Sequence, residues 1–290
     1  MNELIKKIRE YLGLSQMELA EKMGVQFATI NRWENGHSIP TRLAQEKLYL
    51  LCVEFNVPIY EMIINKINEE ISSIKREDDR ILLYHGSKSG LIGDIKPSSR
   101  TRCDFGKGFY MGTSIEQPLT LICDYEESKF YVLSSDLKGL EVYKSSPDLD
   151  WAMLIAYYRG RMDMIENTSF YNKYSLMLNG KDIVIGTVAD DRMFYVLDNF
   201  FLGNVSDVAL VESLTALNLN EQYVALTEKA CKAIKIEKEI EISYLEKNAL
   251  KKESEINRNK GISLANEICK NNRRKGIFFD EILKKAKMEK

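Results

Sequence analysis

Apolar positions in residues 1–65 recur at the three-to-four spacing of amphipathic helices. Leu4, Ile5, Ile8, Tyr11 and Leu12 form one stripe. Ser15 precedes Met17, Leu19, Ala20 and Met23, with Glu18 three residues on, which is the spacing of a capping box. Gly24 closes that helix, residues 25–34 make a third, and Asn35-Gly36 ends it. Pro40 leads into a helix over 41–55, and Pro58 opens a short fifth helix through Ile64. Residues 66–80 are almost wholly polar and read as a linker or a solvated helix extension.

From Ile81 the period shortens towards two. ILLYH (81–85), KFYVLSSDL (129–137), LEVY (140–143), DIVIGTVA (182–189) and EQYVAL (221–226) are β-branched and aromatic runs bounded by Gly, Asp and Ser, hence strands. Helical spacing returns at 151–162, 193–201, 208–217 and 228–233. The expected architecture is an all-α module at 1–65, a linker at 66–80 and an α+β domain at 81–235 with split, mostly antiparallel sheets. A helical tail at 236–290 completes it, its apolar end around Ile277, Phe278, Ile282 and Leu283 docking back on a domain.

At 44% hydrophobic and 29% charged, the 290 residues are those of a folded chain rather than a disordered one. Forty-one basic against 43 acidic residues give a net charge of −2, so no global positive field is available to hold nucleic acid. Residues 1–65 are themselves at −1, whereas residues 233–290 carry 15 basic against 10 acidic side chains. The longest apolar runs, such as 81–84 and 119–123, fall far short of the ~20 residues a membrane span needs. The opening MNELIKKIRE lacks the basic-then-apolar order of a signal peptide. Five scattered cysteines without a C-x-x-C pair, and only two histidines, predict a reduced cytoplasmic chain and no metal site.

The run 14–36, LSQMELAEKMGVQFATINRWENG, resembles the helix-turn-helix of phage-repressor type. Leu19 and Ala20 fit the core of its first helix, Gly24 the turn, and Val25 and Ile30 the packing of the second helix. A small residue at Ala20 and a glycine at the turn let the helices cross closely enough to present the second to a major groove. The resemblance implies that Gln26, Phe27, Thr29, Asn31 and Arg32 face bases or phosphates. Ser15 and Gln16, at a helix N-terminus, suit a phosphate oxygen. Duplex DNA is the expected partner, bound by a homodimer because a module at −1 neutralises few phosphates alone; docking of a protein partner is the alternative.

Leu83-Tyr84-His85-Gly86-Ser87 and Asp104-Phe105-Gly106-Lys107-Gly108-Phe109-Tyr110 form a second pair of motifs. Separately they read as a histidine at a strand end and a glycine turn. Together they resemble the nicotinamide-binding half of poly(ADP-ribose) polymerase and diphtheria-toxin-like ADP-ribosyltransferases. The segments 150–161 and 182–192 resemble uncharacterised bacterial domains of that superfamily, so the likeness spans 81–235. It implies NAD as substrate, with the Gly86 backbone on the carboxamide, Ser87 nearby, His85 on the adenosine ribose and Tyr110 stacked on the nicotinamide. Asp104, Gly106, Gly108 and Phe109 would supply the loop and strand around the cofactor.

The family's third strand carries a carboxylate that stabilises the oxocarbenium-like transition state. Here Asn220-Glu221-Gln222-Tyr223, with Tyr223 in register, places Gln222 at that position, and Glu221 points to the other face. Pro118 and Leu121 stand where a hydroxyl and an aromatic would help. These departures imply transfer of single ADP-ribose units rather than polymer. Asp182, Asp190, Asp191 and Arg192 suit either a divalent cation or a helix N-terminus rich in acids, and Arg159-Gly160-Arg161 either a pyrophosphate or acceptor nucleic acid, or a surface pair. The expected function is a mono-ADP-ribosyltransferase acting on a protein or nucleic-acid acceptor and tethered to, or autoregulated through, DNA, of toxin or phage-defence kind. The alternatives are a transcriptional regulator whose catalytically weak domain senses NAD or ADP-ribose, and a module that docks an antitoxin.

Overall fold

Ser15 and Glu18 form the capping box that their spacing predicts: the Ser15 hydroxyl accepts from the Glu18 N–H, and the Glu18 carboxylate accepts from the Ser15 N–H. In the computed structural model, which describes residues 1–75, 79–188, 191–217 and 219–288, this helix is α2 (Gln16–Met23). It lies between α1 (Asn2–Tyr11) and α3 (Phe27–Glu34). Then come α4 (Arg42–Glu54) and α5 (Ile59–Ser72). The fifth helix is thus longer than its pattern suggests. Of the two readings of 66–80, residues 66–72 take the helix extension rather than the linker, and the extension is packed rather than solvated, because Ile67 and Ile71, one turn apart, are buried. Arg9 fixes the module: its guanidinium donates to both Glu34 carboxylate oxygens at 2.6 and 3.1 Å and to the Leu14 carbonyl at 2.9 Å.

The rest of the chain builds one seven-stranded sheet, ordered β4-β5-β6-β2-β1-β3-β7, rather than split sheets. The strands are β1 (Ile81–Ser87), β2 (Phe109–Gly112), β3 (Lys129–Ser135), β4 (Val142–Lys144), β5 (Ile183–Thr187), β6 (Glu221–Ala225) and β7 (Ile234–Glu241). All neighbours are antiparallel except β4 and β5. The central seam is narrow, since β1 and β2 pair only at Tyr84 and Gly112. β7 pairs with β3 along its length, so residues 236–241 belong to the sheet and not to the tail.

Between the strands lie α6 (Glu116–Ile122), α7 (Leu149–Tyr158), α8 (Ser169–Leu176), α9 (Asp191–Phe201), α10 (Asp207–Leu217) and α11 (Glu228–Lys232). Two helices follow β7: α12 (Tyr244–Asn271) and α13 (Phe279–Met288). One sheet face, with Val184 and Val224, packs on α7, α9 and α10; α13 docks there through Phe279 and Leu283, as its apolar end predicts. The other face, with Leu83, Phe109, Met111, Tyr131 and Ile185, is closed by Ala230 and Cys231 of α11 and by loop residues such as Leu91 and Leu140. The third cluster joins the modules: Ile63 and Ile67 of α5 share a core with Leu119 of α6, Phe130 and Val132 of β3, and Leu245 and Ala249 of α12. The tail is therefore no surface appendage. Among the described residues no single helix is long and apolar enough to cross a membrane.

Glu34 shows how tightly the first module is set. Burial works against its charge, yet the hydrogen bonds from Arg9 and Gln16 hold its carboxyl below the usual range. Arg9→Ala leaves that carboxylate buried and unpaired, and should cost ~3 kcal/mol in denaturant unfolding. Arg9→Lys should restore only part, because an ammonium cannot reproduce the two-pronged contact. An unchanged unfolding midpoint in Arg9→Ala would remove the pair from the module's framework.

Candidate functional site

The second helix of the helix-turn-helix presents an open face. Gln26, Phe27 and Arg32 are exposed, with Phe27 at 45% of its surface. Thr29 and Asn31 are half-buried beside them. Asn31 Nδ2 donates to Gln16 Oε1 at 3.2 Å, and Gln16 Nε2 donates to Glu34 at 2.8 Å, so the start of α2 is tied to the recognition helix by side-chain amides. Ser15 spends its hydroxyl on the capping box. Gln16 and Asn31 are thus joined directly, Ser15, Gln26, Phe27 and Arg32 are open to solvent, and Thr29 is half-buried.

Strand alternation decides the geometry in the sheet. His85 lies opposite Tyr131 and its ring sits 4.5 Å from that of Phe109, so it belongs to the face closed by α11. Tyr110 is one residue beyond Phe109 and packs on the α7–α10 face. The two side chains lie on opposite sides of the sheet. They meet only through the backbone: His85 Nδ1–H donates to the Tyr110 carbonyl at 2.7 Å, across the seam that β1 and β2 leave unpaired.

The glycine loop folds over Tyr110. Its hydroxyl donates to the Gly106 carbonyl at 2.8 Å and accepts from the Phe105 N–H at 3.0 Å, and burial pushes the phenol's pKa up. Gly106 has φ +74°, and a Cβ there would lie 2.7 Å from the Tyr158 ring; both facts demand glycine. Gly108 passes equally close to Val224, while Ser99 accepts from the Gly108 N–H at 2.9 Å. Asp104 takes both Arg159 donors, at 2.6 and 3.2 Å, and the Arg159 guanidinium lies 4.3 Å above the Phe194 ring. Gly86 is covered by α6, whose Pro118 carbonyl would be 2.5 Å from an added Cβ, and Ser87 turns to its own Gly90 carbonyl.

A cavity of about 380 Å³ opens at the other end of β2. Gly112, Gln117 and Leu121 form one wall, Arg192 and Phe194 of α9 a second, and Ser254 and Asn257 of α12 a third; Tyr60, from the helix-turn-helix module, closes it. None of the eight residues from His85 to Tyr110 expected around a cofactor lines it. Glu221 reaches its rim and pairs with Lys144 at 2.9 Å. Gln222 is buried on the opposite face, its Nε2 donating to the Thr187 carbonyl at 3.1 Å. No residue pattern singles out Tyr60, Phe194 or Asn257, because they come from three helices distant in the chain.

The remaining acidic and basic candidates are structural in part. Asp182 accepts from the Glu141 N–H, from Lys229 and from Thr227, in that order of influence, and its carboxyl is held down at about 2. Asp190 and the side chain of Asp191 lie outside the described residues. Among the described residues no group of three His, Cys, Asp or Glu could hold a metal ion. Among the described residues, Arg161 pairs with Asp198 at 4.0 Å.

Burial pushes the His85 pKa below its ordinary 6.5, against the opposing effect of the Tyr110 carbonyl. The folded state then binds fewer protons than the unfolded chain, so stability falls as pH drops below about 6.5. His85→Asn, which keeps a donor for the carbonyl, should flatten the melting temperature between pH 5 and 7, on the scale of that ordinary pKa. Parallel pH profiles for parent and variant would refute this.

Residues 5–62 match the family model described as Helix-turn-helix. No curated protein and no solved structure matches the chain. Residues 81–236, from the first strand to the start of β7, match the model described as Protein of unknown function (DUF3990), and the chain belongs to that family.

Proposed function

We propose that the chain is a DNA-binding regulator whose α/β domain takes up NAD or ADP-ribose in the cavity at the end of β2. The observation that carries this is the presence of Tyr60, from the DNA-binding module, in the wall of a cavity otherwise built by the family domain. Its volume of about 380 Å³ falls within the range of small-molecule sites. Phe194 and Leu121 offer apolar surface to a ring, Arg192 a cation for a phosphate, and Gln117, Asn220 and Asn257 amides for ribose hydroxyls. The glycine loop supports the same site indirectly, because Arg159 links Asp104 to the Phe194 ring.

Transfer of a single ADP-ribose unit is the second reading, favoured by Glu221 at the cavity rim. In that reaction the nicotinamide–ribose bond breaks, nicotinamide leaves and an acceptor nucleophile bonds to the ribose carbon. Glu221, not the buried Gln222, is then the group able to face the developing cation.

Arg32→Ala should weaken duplex binding by ~1–3 kcal/mol if it reads a base. Gel shifts against DNA upstream of the coding region test this; equal affinity of parent and variant would move recognition off α3. For the cavity, NAD or ADP-ribose at a hundredfold excess over Kd should stabilise the chain by ~2.7 kcal/mol, read as a rise in melting temperature. Ser254→Trp should abolish that rise while the unliganded chain still melts cooperatively. A rise that survives Ser254→Trp would sink the site. Release of nicotinamide separates the readings: turnover lost in Glu221→Gln and untouched in Gln222→Glu marks an enzyme.

A further inference from the structure

We propose that the turn after α12 is a second contact for the phosphate backbone of duplex DNA. Lys270, Arg273, Arg274 and Lys275 lie within six residues, all exposed, and no carboxylate occurs from 268 to 279. The described ion pairs include none of the four. A helix C-terminus attracts cations through its dipole, but that influence ends with the last turn. Only Lys270 lies within it. Arg273, Arg274 and Lys275 lie past the cap, which is the neutral Asn272, whose Nδ2 donates to the Ile268 carbonyl at 3.1 Å. Helix stability therefore explains one of the four charges.

The turn is also fixed in place. Asn272 is 1% exposed and donates to Glu212 at 2.5 Å. Asp207 accepts from the Ile277 N–H at 2.8 Å, and its own N–H donates to the Ile277 carbonyl at 3.0 Å. The acids nearest the turn are thus bonded to neutral donors, and the cations are left to solvent. A rigid run of unpaired cations suits a ligand with closely spaced negative charges. Duplex DNA is favoured over other polyanions because the chain already carries a helix-turn-helix, itself at −1 and short of phosphate contacts. This rests on the chain binding DNA through α3. Tyr244, at the start of α12, lies under the Arg42 guanidinium at 4.5 Å, so α12 ties that module to the turn over about 42 Å of helix.

The test is binding of the full chain to a duplex of about 40 base pairs over a range of salt. With Lys270, Arg273, Arg274 and Lys275 all changed to Ala, the slope of log affinity against log salt should fall by about 3.6, at ~0.9 per phosphate lost, and affinity should fall at least tenfold. Arg273→Lys with Arg274→Lys should keep the parent slope. An unchanged melting temperature shows that the fold survives. Parent binding with no change in slope or affinity in the fourfold variant overturns the second contact and spares the first. An absence of parent binding at low salt overturns both. A parent that prefers single-stranded RNA, with the loss confined to RNA, overturns the duplex assignment.

Discussion

Glu246 carries its charge where almost no water reaches, with 1% of its side chain exposed, and much of the architecture is arranged around it. Burial works against that charge, yet Lys66 at 2.8 Å and the Ser243 hydroxyl and N–H hold the carboxyl below its usual range. The partners join two modules. Lys66 is on α5 of the N-terminal module, whereas Ser243 caps α12 and Glu246 lies in its first turn. Gln45 of α4 adds to the joint by accepting from the Leu245 N–H at 3.1 Å. Such a buried pair gains little net stability over well-packed apolar groups, but losing one partner is costly, so its effect is to set one arrangement. The α12 register on α4 and α5 follows from it, and with it the cavity wall made by Ser254 and Asn257.

Most of the element order was legible. Five N-terminal helices and the strands at 81, 129, 183 and 221 follow from apolar spacing, because each buries one face against a neighbour. β7 was not legible. Ile-Lys-Ile-Glu-Lys-Glu-Ile-Glu is an edge strand with five charged residues in eight and only Ile234 and Ile240 buried, and by composition it resembles a polar helix. The extension of α5 hung on two isoleucines within a charged run. In α12 the buried Leu245 and Ala249 are separated from Gly261 and Ala265 by an exposed stretch, so no continuous stripe marks a helix that bridges two modules.

For the candidate site, local sequence fixed identity but not partnership. Period-two alternation alone separates Glu221 from Gln222, and the structure has them on opposite faces as that rule requires. The same rule puts His85 and Tyr110 on opposite faces, which two motifs read side by side do not reveal. What joins them is a backbone carbonyl, invisible in any residue pattern. The cavity is harder still, because its walls come from α5, α6, α9 and α12, and no spacing rule connects Tyr60 to Asn257.

A cavity with Tyr60 in its wall has a thermodynamic consequence if it holds a ligand. Tyr60 sits on the first turn of α5, its hydroxyl 3.5 Å from Glu116 on α6. α5 shares its core with α1, and α1 is bound to α3 through Arg9 and Glu34. An occupant that changes the Tyr60–Glu116 contact acts on both modules at once, since they share packed side chains rather than a flexible tether. Coupling requires that the two states differ in contacts, and it is reciprocal: whatever factor the ligand applies to DNA affinity, DNA applies to ligand affinity. One half-exposed tyrosine contact is worth a few kcal/mol at most, so a shift of roughly five- to a hundredfold is the upper scale such a joint can transmit. Affinity for DNA measured with and without ligand, in parent and in Tyr60→Phe, therefore reads the hydroxyl's share of that coupling directly.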